Sequence, residues 1–157
     1  MKSDKPKVLV EALGRPMIQF VIDAVFSAGI TKAVVVVGYK ADDVRSELAA
    51  SDEVAFVEQT EQKGTGHAVM VCAGEMQGHN GPVLVLTGDS PLVQSSSLKK
   101  LLAAYENDRP ACIMGTAHRD DPTGLGRIVR DEAGDFLGIV EEKDASDAQR
   151  QITEVNM

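Results

Sequence analysis

Basic residues are scarce in this 157-residue chain, which has 16 lysines and arginines against 24 aspartates and glutamates. The net charge of −8 argues against non-specific binding of nucleic acid or anionic membranes, because both require a basic surface. Long apolar runs are also absent, and no stretch approaches the about 18 residues that cross a bilayer. The polar start has no hydrophobic core of a signal peptide. We therefore expect a cytoplasmic protein that binds neither nucleic acid nor a membrane.

Cysteine is nearly absent as well, with Cys72 and Cys112 far apart and each in an apolar stretch. This arrangement favours buried free thiols over a disulfide or a metal site. Internal repeats and low-complexity segments are missing too, which excludes repeat architectures. What is present is 43% hydrophobic residues in a chain of ordinary domain length. We expect a single domain over residues 1–157.

Apolar segments alternate with amphipathic ones along the first 117 residues. The runs typical of strands or extended pieces are 8–10, 33–38, 54–57, 83–88 and 111–117. Amphipathic stretches that predict helices follow, beginning near residues 16, 41, 68 and 95 and spaced at helical periodicity. This alternation predicts an α/β fold of right-handed βαβ units, with a mostly parallel sheet and helices on both faces.

The pattern changes after residue 117. Residues 127–130 (Arg-Ile-Val-Arg) and 136–140 (Phe-Leu-Gly-Ile-Val) flank a polar turn, which predicts an antiparallel β-hairpin near the C-terminus. Residues 143–151 are charged and predict a short surface helix, and 152–157 resemble the beginning of a strand. We expect this hairpin to add an antiparallel part to the sheet.

One candidate site follows the apolar run 83–86. Gly88 ends the run, Asp89 follows at once, and Pro91 prevents continuation. We expect a strand buried on both faces here. If the neighbouring strands are parallel, Asp89 lies at the sheet edge where ligands bind, and a carboxylate there suits Mg²⁺. An ordinary turn explains the Gly-Asp pair about as well, because aspartate is a common turn residue.

A second candidate site is the stretch 59–68, between a predicted strand and a predicted helix. Gly64 and Gly66 allow close approach to a ligand, and the glutamine amides offer the donor and acceptor that a nucleobase edge needs. Thr65 resembles a helix N-cap, so the alternative is an ordinary connecting loop. His67 resembles a first-turn helix residue more than a base or a metal ligand.

Three further features have ordinary alternatives. Lys7 could bind a phosphate, although a lone terminal lysine is usually just solvated. The glycine-rich stretch 120–127 also permits close approach, but a plain turn explains it. The charged run 141–143 is typical of a solvated surface.

Six motifs occur in one order along the chain, at residues 5–9, 12–17, 61–68, 87–92, 121–130 and 139–145. Through them the chain closely resembles the uridylyltransferase domain of bacterial bifunctional N-acetylglucosamine-1-phosphate uridylyltransferase/glucosamine-1-phosphate acetyltransferase, along its full length. The resemblance implies a Rossmann-like nucleotidyltransferase fold. It also implies Mg²⁺-dependent formation of UDP-N-acetylglucosamine and pyrophosphate from UTP and N-acetylglucosamine 1-phosphate.

The resemblance also assigns roles to particular positions. It implies that Asp89 holds Mg²⁺ and that Lys7 contacts the nucleotide phosphates. The uracil-reading loop corresponds to Gln59, Gly64 and Thr65, with Gln62 beside them. The amino-sugar site corresponds to Gly126, Glu141 and Asn156.

Family members differ from this sequence at both ends. They carry a first strand and a loop Leu-x-x-Gly-x-Gly-Thr-Arg-Met whose last residue aligns with Met1, so we expect an incomplete domain that lacks the first strand and its C-terminal part. The expected neighbour of the first strand is the segment 83–88, and its loss predicts unpaired edges and little activity. Family enzymes are homotrimers through the acetyltransferase domain, which leaves the assembly of this chain undefined. Within the chain, Thr87 stands where the family commonly has Tyr, and Met157 where it usually has Thr.

Three other functions are compatible with parts of the sequence. One is a different sugar-1-phosphate or molybdopterin-type nucleotidyltransferase, which shares the aspartate at the strand end. Another is a non-catalytic nucleotide-binding remnant, and a third is a flavodoxin-like regulator. Gln59, the loop that follows it and the stretch 141–145 favour the amino-sugar enzyme, and the regulator leaves the hairpin unexplained.

Overall fold

A computed structural model describes residues 5–49 and 51–156. The chain divides into two compact units, Met1–Leu102 and Ala103–Met157. This division does not test the expectation of a single folding domain, which stays a prediction. Met157, the last residue of the predicted strand 152–157, lies outside the described residues.

The first unit begins with a 3₁₀ turn, Lys7–Leu9, where we expected an extended piece. A small antiparallel hairpin follows, formed by β1 (Glu11–Ala12) and β2 (Arg15–Pro16). Its two-residue turn has Leu13 at φ 51° and Gly14 at φ 78°, the positive pair that a tight hairpin turn requires. The hairpin leads directly into helix α1.

The helices and the parallel strands of the first unit form its core. Helix α1 (Met17–Ser27) ends before Gly29, whose φ of 97° closes it. Strands β3 (Ala33–Val37) and β4 (Val54–Glu58) pair in parallel, with α2 (Ala41–Leu48) connecting them. The buried side chains between these elements are Ile18, Val37, Val44, Leu48 and Val54. The predicted βαβ unit over 33–57 is therefore confirmed.

The segment 83–88 is not a strand, and this prediction was wrong. Val83 and Val85 are 51% and 53% exposed, and no strand pairs with the segment among residues 5–49 and 51–156. Leu84 alone turns inward and packs against a second buried cluster around Val21 and Leu98. An apolar run in the sequence shows that a segment is hydrophobic, but it does not show that a second strand is present to pair with it. The expectation of a strand buried on both faces was therefore wrong. Whether a family-type first strand belongs beside this segment stays a prediction.

The predicted helices beyond β4 also form, with changed limits. Helix α3 covers Thr65–Met70 and passes into a 3₁₀ turn over Val71–Gly74, so it begins three residues before the predicted start at residue 68. Helix α4 covers Ser95–Asp108 and contributes Leu98 to the second cluster.

The second unit contains a four-stranded antiparallel sheet in the order β5-β8-β6-β7. Its strands are β5 (Thr116–His118), β6 (Arg127–Arg130), β7 (Phe136–Val140) and β8 (Glu154–Asn156). The predicted hairpin is β6 and β7, and the strand expected at the end of the chain is β8. The predicted strand 111–117 is reduced to β5, because only 116–118 find a pairing partner, in β8.

A 3₁₀ turn over Glu142–Asp144 and helix α5 (Asp147–Arg150) connect β7 to β8. A reciprocal capping box between Ser146 and Gln149 starts α5, which is the short surface helix that the charged stretch predicts. The mixed α/β class is thus confirmed, although the parallel part comprises β3 and β4 alone within the residues described.

Two expectations about single features have different outcomes. Cys72 is a buried free thiol as predicted, whereas Cys112 is a free thiol that is exposed, so the prediction of its burial was wrong. Among the helices within 5–49 and 51–156, none has the length and apolar character needed to cross a bilayer.

Candidate functional site

Lys7 and Asp89 form an ion pair in the first unit, with Lys7 Nζ 2.5 Å from Asp89 Oδ2. Lys7 lies on the 3₁₀ turn, and Asp89 follows Gly88 at the end of the unpaired segment. The close approach depends on Gly88, because a Cβ there would lie 3.2 Å from Val8 Cγ1 and 3.7 Å from Ile18 Cδ1. The structure therefore brings together two residues that are 82 positions apart and that the sequence analysis singled out separately.

The carboxylate of Asp89 is held in its ionised form. The hydrogen-bonded Lys7 ammonium lowers the pKa of Asp89 most, and a hydrogen bond from Thr87 contributes, while partial burial works in the opposite direction. The Asp89 side chain remains 28% exposed, so a ligand can reach it. An ionised, accessible carboxylate has the hard oxygen donors that Mg²⁺ prefers.

Asp89 fits one particular kind of magnesium site. Within residues 5–49 and 51–156, no group of three or more acidic, histidine or cysteine side chains could hold a metal by itself. Mg²⁺ commonly uses one or two carboxylates and completes its shell with phosphate oxygens and waters. The donor set is therefore suited to a metal that arrives with a phosphate-bearing substrate.

The predicted base-reading loop follows β4 directly. Gln59 donates its backbone N–H to Val37 O at 2.8 Å, which fixes the start of the loop against the end of β3. Its side-chain Nε2 lies 3.2 Å from Gly64 O and 3.0 Å from His67 Nδ1. The Gln59 side chain, at the start of the loop, therefore contacts Gly64 and His67 at its end. His67 was expected to be an ordinary helix residue, and its contact with Gln59 was not predicted.

The remaining loop residues have distinct environments. Gly64 has φ 92° and precedes α3 as its N-cap residue, so the prediction that Thr65 caps this helix was wrong. Gln62 approaches the end of β3, because a Cβ added at Gly38 would lie 3.5 Å from Gln62 Nε2. Gly64 and Thr65 are exposed, which leaves this side of the loop accessible.

The predicted amino-sugar residues lie at one end of three adjacent strands in the second unit. Arg127 pairs with Val140 of β7 and with Val155 of β8, so Glu141 and Asn156 both come one step beyond these pairs, beside Gly126. Asn156 N donates to Gly126 O at 3.2 Å. The strand register therefore brings together all three residues that the resemblance assigned to the sugar.

Gly126 is required by close packing. A Cβ at this position would lie 2.8 Å from both Asn156 Oδ1 and Ile139 Cγ2, a distance that no side chain accommodates without displacing a neighbour. Glu141 is exposed, and Asn156 is half-buried. Gly126 itself is buried, so the arrangement places one amide and one carboxylate beside a backbone that has no room for a side chain.

Arg127 is a residue that sequence reasoning missed and that supports this region structurally. Its side chain is 2% exposed and donates to Glu142 Oε2 at 2.6 Å and to Leu125 O. Glu142 also accepts from Gly124 N at 3.2 Å, and the Arg127 guanidinium lowers the pKa of Glu142. The pair therefore ties the glycine-rich turn before β6 to the turn after β7. The available signal was a charged residue beginning an apolar strand.

Comparisons with known proteins identify the family and the fold of this chain. The family described as "MobA-like NTP transferase domain" matches residues 1–153. The bifunctional protein GlmU of Pelotomaculum thermopropionicum is 46% identical over 156 residues, which cover 99% of this chain and 34% of that protein. GlmU of Cupriavidus pinatubonensis is 49% identical with the same coverage. The chain thus spans about a third of the length of these curated relatives.

Solved structures share the fold at lower identity. HddC from Yersinia pseudotuberculosis, complexed with GMP-PN, superposes with a TM-score of 0.71 and 19% identity, over 90% of this chain and 62% of that one. UDP-glucose pyrophosphorylase complexed with UDP-glucose superposes with a TM-score of 0.72 and 20% identity, over 97% of this chain and 65% of that one. These similarities confirm the predicted nucleotidyltransferase fold.

Proposed function

Because this chain belongs to the family of MobA-like NTP transferase domains, we propose that it is the nucleotide- and sugar-phosphate-binding part of a uridylyltransferase. Its substrates would be UTP and N-acetylglucosamine 1-phosphate, and its products UDP-N-acetylglucosamine and pyrophosphate. The observation that carries the proposal is the pairing of Lys7 with an ionised, accessible Asp89. The 44–49% identity to proteins named GlmU supports the choice of this reaction within the family. Because these substrates are cytoplasmic metabolites, we also propose a cytoplasmic location.

The reaction makes modest demands on the protein. A phosphate oxygen of the sugar phosphate attacks the α-phosphorus of UTP, the bond to the β-phosphate oxygen breaks, and pyrophosphate leaves. The attacking oxygen is already ionised at neutral pH, so no general base is required. Catalysis then consists mainly of holding the reactants in line and neutralising charge around the α-phosphate.

Each group of residues has a part in this scheme. Asp89 would hold Mg²⁺, which supplies positive charge to the phosphate oxygens when bound. Lys7, an ammonium beside Asp89, is placed to exchange its carboxylate partner for a nucleotide phosphate. Gln59, Gln62, Gly64 and Thr65 would bind the uracil. In the second unit, Gly126, Glu141 and Asn156 would bind the amino sugar.

Calorimetric titration of UTP into the 157-residue chain tests this proposal. Binding is the right readout because it reports directly on the residues that the proposal assigns to UTP. We expect UTP binding that weakens when Mg²⁺ is removed and that is at least about tenfold weaker in Asp89→Asn. The matched control is Asp52→Asn, which makes the same charge change at an exposed turn residue.

Two results would contradict the proposal. One is an absence of UTP binding by the unmodified chain, and the other is equal binding by Asp89→Asn and Asp52→Asn. A panel with GTP, CTP and other sugar 1-phosphates distinguishes the other nucleotidyltransferases. A preference for GTP over UTP would favour the molybdopterin-type enzyme.

A further inference from the structure

The side-chain amide of Gln59 has a defined orientation. Its Nε2 lies 3.2 Å from Gly64 O, and a backbone carbonyl can only accept a hydrogen bond. A flipped amide would place Gln59 Oε1 against that carbonyl oxygen, with two acceptors facing each other. The contact with Gly64 therefore assigns Nε2 to the inner side of the loop.

The second contact of Nε2 constrains His67. With one amide hydrogen on Gly64 O, the other points to His67 Nδ1 at 3.0 Å. An amide NH₂ group has two hydrogens, so both are then used within the loop. His67 Nδ1 must act as the acceptor, which places the single proton of the neutral ring on Nε2.

This arrangement leaves Oε1 as the part of the Gln59 amide that can meet a ligand. An oxygen accepts hydrogen bonds and cannot donate them. A uracil ring carries a hydrogen on N3, whereas the N3 of cytosine is a bare acceptor. An amide oxygen facing that ring position attracts the first base and repels the second.

We propose that His67 is a positioning residue that fixes the Gln59 amide with its oxygen toward the ligand, and so selects nucleobases whose ring nitrogen carries a hydrogen. The inference rests on the proposed function for the presence of a base at this loop. His67 would then determine base specificity by contacting the Gln59 side chain rather than the base itself. A purely structural role for His67 would require only a side chain of similar size.

The first test observes the tautomer of His67 directly, without any ligand. Long-range ¹H–¹⁵N spectra of the labelled chain resolve its three histidines, and the signal lost in His67→Asn identifies His67. We expect a protonated Nε2 and an unprotonated Nδ1. A proton on Nδ1, or a ring that samples both tautomers, would overturn the inference whatever the chain binds.

The second test measures dissociation constants for UTP and CTP in three proteins. His67→Asn keeps an acceptor oxygen close to the position of Nδ1, whereas His67→Leu keeps the bulk and removes the acceptor. We expect the unmodified chain and His67→Asn to bind UTP more tightly than CTP by a similar factor. In His67→Leu, the ratio of the CTP to the UTP dissociation constant should be about tenfold smaller. Circular dichroism of all three proteins checks that they fold alike.

The outcomes separate the two proposals. If UTP binds but His67→Leu weakens UTP and CTP equally, His67 is only structural and the inference fails while the proposed function survives. If the unmodified chain binds neither nucleotide, the proposed function fails and the base preference fails with it.

Discussion

The candidate residues of the first unit and those of the second unit differ in how their backbones are held. Asp89 follows a segment whose apolar side chains are half exposed and whose backbone pairs with no strand in the part of the chain described. Gly126 and Asn156 instead lie at the ends of strands that pair on both sides. Asp89 is held mainly by its ion pair with Lys7 and by the close packing of Gly88, whereas Gly126 and Asn156 are fixed by strand pairing and by the buried Arg127.

This contrast shows how differently two sites can be prepared for a ligand. Gly126 is packed so closely that an added Cβ would lie 2.8 Å from Asn156 Oδ1 and from Ile139 Cγ2, and this packing exists before any ligand arrives. For Asp89, the ion pair with Lys7 keeps the carboxylate ionised, but the segment that carries it is not paired with a strand in the part of the chain described. Substitutions in the second unit should therefore cost more stability than substitutions in the segment 83–86.

The largest effect is expected for Arg127→Met. The change removes a side chain that is 2% exposed, and with it the buried donor to Leu125 O and to Glu142 Oε2. We therefore expect the free energy of unfolding to fall by about 2–4 kcal/mol. Urea denaturation followed by circular dichroism measures it. The control Arg109→Met removes an exposed pair with Glu106 and should cost less than about 0.5 kcal/mol. Equal losses of unfolding free energy in the two variants would show that the Arg127–Glu142 pair does not stabilise the second unit.

A somewhat smaller effect is expected for Gly126→Ala. The added methyl group collides with Asn156 and Ile139, so we expect a loss of about 1–3 kcal/mol. We also expect weaker binding of N-acetylglucosamine 1-phosphate, because Asn156 must move. The control Gly138→Ala adds the same group in β7, where no atom lies within 4 Å. Binding unchanged by Gly126→Ala would remove Gly126 and Asn156 from the sugar site.

Acid should weaken the second unit through Glu154. The Arg130 guanidinium and the Thr116 hydroxyl lower the pKa of Glu154 from 4.5 to about 2. Because the folded pKa is the lower one, the stabilisation is complete above pH 4.5 and is lost as the pH falls toward 2. Comparing urea midpoints at pH 6 and pH 3 should show a larger acid loss in the unmodified chain than in Glu154→Gln. The control Glu132→Gln changes an exposed turn residue. It should lose as much stability between pH 6 and pH 3 as the unmodified chain does.

The smallest effect is expected for Val85→Ala. At 53% exposure this valine contributes little packing, and the change should alter the free energy of unfolding by at most about 0.5 kcal/mol. Val37→Ala removes the same atoms from a buried site of β3 and should cost about 2 kcal/mol or more. Similar losses for the two variants would show that the segment 83–86 is buried in solution.

Local signals predicted much of the fold. The helical spacing in α1, the β-branched run of β3 and the polar turn between β6 and β7 each encode an element within a few residues. The segment 83–86 has an equally strong local signal, yet it forms no strand. Pairing is a property of two backbones, and the apolar pattern of one of them does not reveal whether the other is present.

The candidate site shows the same limit. The resemblance pointed to Asp89 and Gln59, but the ion pair with Lys7 and the contact with His67 depend on how distant elements meet. Arg127 was missed for a related reason. Its burial becomes visible only when Glu142 and the glycine-rich turn are brought beside it.

The central claim is that the Lys7–Asp89 pair and the Gln59 loop belong to one UTP site. The most direct measurement is a titration of the ¹⁵N-labelled chain with UTP and Mg²⁺, followed by amide spectra. We expect the largest shifts at Gly88, Asp89, Gly64 and Thr65. We expect the Gly88 and Asp89 shifts to disappear when Mg²⁺ is omitted. Shifts confined to residues outside both regions, or a spectrum unchanged at saturating UTP, would contradict the account.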